Sequence, residues 1–460
     1  MESLDQQQST LDFSITPRST DSLVPLSAHQ ARFFATRTSH EVQYRMPAST
    51  IWILGPLNIS YLRNSLDEIV RRHEALRTRF VTVSGILRQI IDSSCDSHLE
   101  LIDLTHMSGV EALQEAIAIE KAVLNRTIDV SVGPFLEAKL LKLSAHEHAL
   151  ILVVDHLIAD GLSCGILNRE LWTLYAQAER ETQFLLPELP VQLPDYAIWQ
   201  ERMHPFWKSQ HEGYWKGRFS GVTDTLAPFG DVEEIDRSRG ATFHSDLGLE
   251  LSKKLKNLAL SERVPLSLVM LVVYVIVTSH WWGVDDLAVG FISHGRHRSE
   301  LKGMIGWTAD AMYLRLRVEP RSSFLDLLRQ AHAERVAAEV HYDYAPYFIP
   351  EFKTSAWFNW QRASSYWLTN ELADKANSGR KEARNRLHMK LFPTSFSWGT
   401  VFVPLFFYDA TIGITIVVHY RPDRIATAIV EKFCRNIHIV TEEFVNSPSK
   451  CIALIPVDMS

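Results

Sequence analysis

The chain has 460 residues with a net charge of −7; 46% are hydrophobic and 22% charged, with 12 Trp and 22 Phe. That length exceeds what one hydrophobic core supports and predicts two subdomains, and an acidic balance without a basic stripe argues against a nucleic-acid binder. The N-terminus lacks a basic start and an apolar core, the longest apolar run (Leu268 to Val277) is too short for a bilayer, and Cys95, Cys164, Cys434 and Cys451 form no CxxC pair, so the expectation is a cytoplasmic protein with no membrane partner, metal site or disulfide framework.

In chain order, the polar residues 1–22 read as a flexible tail. Leu62, Leu66, Ile69 and Val70 fall at helical spacing and predict an amphipathic helix over 58–76, capped by Asn58 or Ser60. A strand is expected over Thr78–Val83 and a helix over 111–124. His148–Asp155 (HALILVVD) suits a strand buried on both faces, ending at His156–Gly161 before a helix from about Cys164 to Ala178. FLLPELPVQLP (Phe184 to Pro194) holds three prolines, which oppose helix and central strand alike, and reads as part of a linker over 184–200. Beyond it, helices are expected near 250–260, 266–281 and 323–340, with strands near 286–292, 311–318, 356–361 and 411–420. Alternating helices and strands in both halves predict an α/β fold, with subdomains over 23–183 and 201–460.

Chemistry is written most locally in DHLIADG, Asp155 to Gly161. The end of a buried strand gives His156 a rigid mount, Gly161 permits a sharp turn before the next helix, and Asp160 can anchor the loop by pairing with an arginine. A histidine of ordinary pKa accepts a proton at neutral pH. On the motif alone, a histidine beside an aspartate is more often a satisfied core or surface residue than a catalytic one. Ser163 or Cys164 as a nucleophile lacks a GxSxG elbow, and a zinc site from His146, His148 and His156 is a weaker reading.

Longer segments carry more. HLIADGLS resembles the HHxxxDG signature of the condensation superfamily, which includes chloramphenicol acetyltransferase. PLSAHQARFF (25–34), RRHEALRTRF (71–80), LPELPVQLPDYAIWQ (186–200), DDLAVGFISHGR (285–296), IGWTADAMYLRLRV (305–318), HYDYAPY (341–347), WFNWQ (357–361) and HYRPDRI (419–425) are similar, in order, to motifs of nonribosomal peptide synthetase condensation domains. The resemblance implies two chloramphenicol-acetyltransferase-like halves forming a V-shaped pseudo-dimer with a central tunnel. It implies a catalytic His156, acting as base or as positioning group, a structural Asp160 and Gly161, and Arg296 as the partner of Asp160. Asp155, Trp307, Asp310 and Asn359 are expected along the substrate tunnel. No bound cofactor is implied: the phosphopantetheine arm arrives on an acyl- or peptidyl-carrier protein acting in trans on a monomeric enzyme. The acceptor is a small molecule or is itself carrier-tethered, and amide and ester formation both stay open.

Two departures stand out. Asp155 replaces the first motif histidine, and Asp310 replaces the usual Asn of IGxFVNT; both add negative charge and favour an amine-bearing or polyhydroxylated acceptor. The rival readings are an acyl-CoA-dependent acyltransferase, faintly suggested by SFSWG (395–399), and a non-catalytic recruitment module. Asp155 and Asp160 also spell the DxxxxD of heterocyclisation domains.

Overall fold

The computed structural model describes residues 13–19, 23–35, 41–93, 97–180, 186–222, 239–344, 354, 356–362, 387–391, 402–409 and 412–457. The SFSWG segment and the end of HYDYAPY lie outside them. The chain divides into two compact units, one of Met1–Phe206, Gly295–Thr308 and Leu368–Thr394, the other of Trp207–His294, Ala309–Trp367 and Ser395–Ser460. Both units are discontinuous in sequence, which a single boundary at 184–200 does not anticipate.

The first unit is built on a five-stranded sheet in the order His388–Leu391, Arg45–Leu54, Glu147–Asp155, Leu136–Lys142, Glu100–Asp103. Glu147–Asp155 lies at its centre, antiparallel to both neighbours. Ala149 through Asp155 are all buried, as a run without alternation requires when both faces are covered. Its neighbour Arg45–Leu54 contains Pro47, which cannot donate to the ladder. The register shifts between Pro47 and Ser49, and that irregularity lets a proline sit in an interior strand.

Helix Ile59–Arg72 buries Leu62, Leu66, Ile69 and Val70, and Asn58 caps it by accepting the Tyr61 amide at 3.1 Å. Helix Gly109–Asn125 opens with a reciprocal capping box between Ser108 and Glu111. Helix Gly161–Glu179 starts three residues earlier than the sequence pattern suggests, because Asp160 caps it. Helix Leu193–Phe219 begins inside the expected linker, with Pro194 in its first turn, where a missing N–H costs nothing.

Residues 13–19 correct the expectation of a flexible tail. Ile15 is buried, Trp199 Nε1 donates to the Phe13 carbonyl at 3.1 Å, and Arg18 Nη1 lies 2.9 Å from both Asp195 Oδ1 and Glu74 Oε2. This strap is tied by side chains, so main-chain periodicity does not reveal it.

The second unit carries a six-stranded sheet in the order Asp310–Arg317, Asp286–Ser293, Ala356–Arg362, Phe402–Asp409, Gly413–Tyr420, Ala241–Asp246. The pairings of Ala356–Arg362 with Asp286–Ser293 and Phe402–Asp409 are parallel and the others antiparallel. Helix Leu266–Trp282 buries every residue from Leu268 to Ser279, which explains its uniform apolarity as that of a core helix. It packs against helices Phe324–Glu339 and Thr427–Asn446. Among the described residues no single helix is long and apolar enough to cross a membrane.

Leu152, with no exposed surface in the central strand of the first unit, tests the importance of that strand. Leu152→Ala is expected to cost about 2–5 kcal/mol, read as an earlier urea transition followed by far-UV circular dichroism.

Candidate active site

The antiparallel register between Arg45–Leu54 and Glu147–Asp155 sets Arg45 opposite Asp155. One residue further on, the His156 amide donates to the Tyr44 carbonyl at 2.8 Å. The chain then turns: Leu157 N–H donates to Asp155 Oδ1 at 2.9 Å and Ile158 N–H to the Asp155 carbonyl at 3.2 Å. His156 therefore sits, half-buried, on the first residue of a turn whose base is a fully paired sheet.

Its ring is held by aromatic contacts. Tyr44 stacks nearly parallel on it, with centroids 4.9 Å apart and planes 13° from each other, and the Trp307 indole approaches at 4.8 Å and 51°. His29 and Phe33, from helix Ala28–Ala35, pack on Trp307 at 5.4 and 6.5 Å, and Phe33 also stacks on Tyr44 at 5.0 Å. Such contacts limit ring rotation and exclude water from one side of the imidazole.

Below the turn lies a dense polar node. Arg296 Nη1 donates to Asp160 Oδ2 at 2.8 Å, and the two side chains are only 2% and 1% exposed. Thr308 donates to the same oxygen through its amide at 3.0 Å and its hydroxyl at 3.1 Å. Asp160 Oδ1 accepts the Ser163 amide at 2.9 Å, the cap of helix Gly161–Glu179. Arg296 Nη2 reaches Ser163 Oγ at 2.9 Å and the carbonyls of Met304 and Gly306 at 3.2 and 3.1 Å. The pairing of Asp160 with Arg296 that the resemblance implies is thus present. Burial alone would raise the Asp160 pKa; the Arg296 charge and the converging donors outweigh it and hold the carboxyl well below the usual carboxylate range.

Gly295 makes this approach possible. Its φ is +68°, and a Cβ there would fall 1.8 Å from the Thr308 carbonyl oxygen. Gly161 plays a different part from the one expected. It is the first residue of its helix and has no positive φ; the turn is made by His156–Ile158.

Asp155 is fully buried. Its Oδ1 is engaged with the Leu157 amide, and its charge acts on Arg45. The expectation that it lines a substrate passage meets a carboxylate with no exposed surface, so the negative charge attributed to it is answered inside the protein. Asp310 and Asn359 belong to the second unit, both half-buried. Asp310 Oδ1 accepts its neighbour's amide, from Ala311, at 2.7 Å, and Asn359 Oδ1 accepts Gln361 Nε2 at 2.8 Å.

The alternative chemistries lose their means. Ser163 Oγ is absorbed in the Asp160–Arg296 node, and burial pushes the Cys164 thiol far up. Among the described residues no group of His, Cys, Asp or Glu could hold a metal ion. Asp160 is paired with Arg296 and Asp155 Oδ1 accepts the Leu157 amide inside the protein, so the DxxxxD spelling does not present two free carboxylates.

The RRHEALRTRF and LPVQLPD segments prove to be halves of one clasp. Arg72 Nε and His73 Nε2 meet Glu170 Oε2 at 3.2 and 2.8 Å; Gln192 Nε2 donates to the Arg72 carbonyl at 3.1 Å, and Gln192 Oε1 accepts the Glu74 amide at 3.2 Å. Tyr44, Arg45, Gly295 and Thr308 were not singled out in the sequence. Pro47 hid the strand that Arg45 opens and Tyr44 immediately precedes, and nothing local marks the others as neighbours of Asp160.

Residues 21–395 match the family model of the condensation domain. The chain belongs to the condensation-domain family. It is 32% identical over 347 residues to surfactin synthase subunit 1 of Bacillus subtilis (strain 168), a match covering 75% of the chain and 9% of that subunit. The chain thus spans less than a tenth of that relative. Among solved structures, the X-domain from teicoplanin biosynthesis superposes with a TM-score of 0.81 at 17% identity, covering 97% of this chain and 100% of that one. The first condensation domain of the calcium-dependent antibiotic synthetase gives 0.74 at 15%, covering 95% and 100%. These likenesses show the condensation-domain fold, a chloramphenicol-acetyltransferase-like α/β architecture.

Asp160→Asn retains an acceptor but removes the charge opposite Arg296, and is expected to cost about 3–5 kcal/mol at pH 7. Because the folded pKa lies below the unfolded value of about 3.9, the wild-type advantage is complete above about pH 4 and declines as pH falls further. Thermal midpoints of the two proteins should therefore converge in acid. Gly295→Ala should displace Thr308 from Asp160, lowering the thermal midpoint and abolishing any activity that needs an ordered His156 turn.

Proposed function

We propose that the chain is a condensation enzyme, transferring an acyl group from a carrier-protein phosphopantetheine thioester to an amine or hydroxyl acceptor in nonribosomal peptide or hybrid polyketide biosynthesis. The observation that carries this reading is His156. It is half-buried on a turn fixed from below by Asp160 and Arg296 and from the sides by Tyr44 and Trp307. Membership of the condensation-domain family and the match to a synthase subunit support the carrier-bound donor.

In this reading the acceptor nitrogen or oxygen attacks the thioester carbonyl and forms the new C–N or C–O bond. His156 takes the acceptor's proton. The C–S bond then breaks, and the proton passes to the departing thiolate, leaving the carrier with a free thiol. The Nδ1 edge of His156 is buried, and this reading therefore assigns the proton transfer to Nε2. A ring already oriented by stacking loses little freedom on reaching the transition state, which is where positioning helps most. The protein is expected to act in the cytoplasm, as a monomer, on a separate carrier protein.

A second reading has a specific observation behind it. The X-domain superposes with a higher TM-score than the first condensation domain of the calcium-dependent antibiotic synthetase, and an X-domain has been solved in complex with OxyB. A recruitment module of that kind needs the fold without the chemistry. The retained His156, on an intact mount, favours catalysis.

Acylated carrier proteins incubated with the chain and candidate amines or alcohols, followed by intact-protein mass spectrometry, test the proposal. Loss of acyl mass from the carrier with matching product is expected, and His156→Ala should slow it by about 10²–10⁴-fold. Turnover from acyl-CoA alone would reassign the donor. Tight carrier or oxygenase binding without turnover would favour the recruitment module.

A further inference from the structure

Asp155 stands where the family motif has its first histidine, and its surroundings explain why a histidine does not serve there. Its register partner is Arg45. The Arg45 guanidinium has no exposed surface; it donates to Glu137 Oε2 at 2.5 Å and to the carbonyls of Val123 and Pro134 at 3.0 and 3.1 Å. Glu137 is shared: Arg126 lies 2.7 Å from its Oε2 and Lys139 lies 3.4 Å from its Oε1. Three cations thus draw on one carboxylate, Lys139 having Glu100 as a second partner. Asp155, opposite Arg45 in the strand register, adds a second negative charge that favours the charged guanidinium.

The location of this charge pair gives it a consequence. Tyr44 precedes Arg45 and His156 follows Asp155, and those flanking residues are the two whose rings stack at 4.9 Å and whose backbones are joined by the His156 amide. The Asp155 carboxylate also accepts the Leu157 amide, on the other side of His156. We propose that Arg45 and Asp155 act as a coupled positioning pair, standing in for the first motif histidine and fixing Tyr44 and His156 face to face. The effect on rate rests on the acyl-transfer reading above; the effect on ring placement does not.

A counterintuitive expectation follows. Asp155→His, which restores the family spelling, removes the anion and leaves Arg45 buried with an over-shared Glu137. It should lower kcat by about 10–100-fold with KM changed by less than about threefold, as misplacement of a reacting group does. Asp155→Asn, which keeps an acceptor for Leu157, should behave alike. Adding Arg45→Gln to Asp155→His should recover at least about tenfold of the loss, a non-additivity that a merely structural contact to bulk stability would not produce.

Two-dimensional NMR of the ring-labelled histidines gives a readout independent of turnover. The His156 resonances and titration should move in either single variant and return toward wild type in the double variant. Unchanged His156 resonances and wild-type kcat in Asp155→His would overturn the pairing, as would strictly additive effects. Should the single variants fail to accumulate, the double variant decides: a folded protein with wild-type His156 resonances supports the pair, and an unfolded one overturns it. If wild-type protein transfers no acyl group from any donor, the acyl-transfer reading fails while the NMR comparison still tests the pair.

Discussion

One carboxylate in a place water does not reach governs the rest of the site. Asp160 receives Arg296, both donors of Thr308 and the first turn of helix Gly161–Glu179. A buried ion pair is a poor source of stability by itself, because desolvation of both charges consumes most of the Coulomb gain. Its strength is geometric: every lone pair is assigned, so only one arrangement of the loop, the helix and the Gly295–Thr308 segment satisfies it. The His156 turn inherits that uniqueness.

Above the node the same logic recurs with different residues. Asp155 lies buried opposite Arg45 in the register, while Tyr44 and Trp307 shape the space around the imidazole. The site is therefore layered: charges locked in the dry interior, and an aromatic bracket around a half-buried reactive ring. Low dielectric beneath the ring makes errors of charge expensive there.

Much of this was legible in the sequence where a local rule applied. The strand Glu147–Asp155 and the helices Ile59–Arg72, Gly109–Asn125 and Leu266–Trp282 announce themselves by uninterrupted apolarity, helical spacing or caps. The ordered motifs brought Arg296 to Asp160 through resemblance, which spacing could not do across so long a separation. Elements that break a local rule escaped notice. Pro47 conceals an interior strand because its bulge is a property of the pairing, and Leu193–Phe219 starts where prolines suggest a linker. The strap at 13–19 has no periodicity, since Trp199, Asp195 and Glu74 hold it from elsewhere. Asp155 was misread for the same reason: a lone carboxylate in a motif gives its charge but not the residue that answers it.

The path of the chain through the first unit has a bearing on how the protein is made. Arg296 follows Asp160 by 136 residues, and the edge strand His388–Leu391 pairs with Arg45–Leu54 from still further along. A ribosome delivering the chain from its N-terminus therefore exposes Asp160 with neither counter-ion nor Thr308 until the segment Trp207–His294 of the second unit has been made, and a sheet with an open edge until Ala309–Trp367 has followed. Contacts of such long sequence separation close late, because loop entropy must be overcome before they contribute. The reactive centre is among the last parts of the first unit to become native. During synthesis the protein passes through a stage in which it has a sheet and helices but no assembled site.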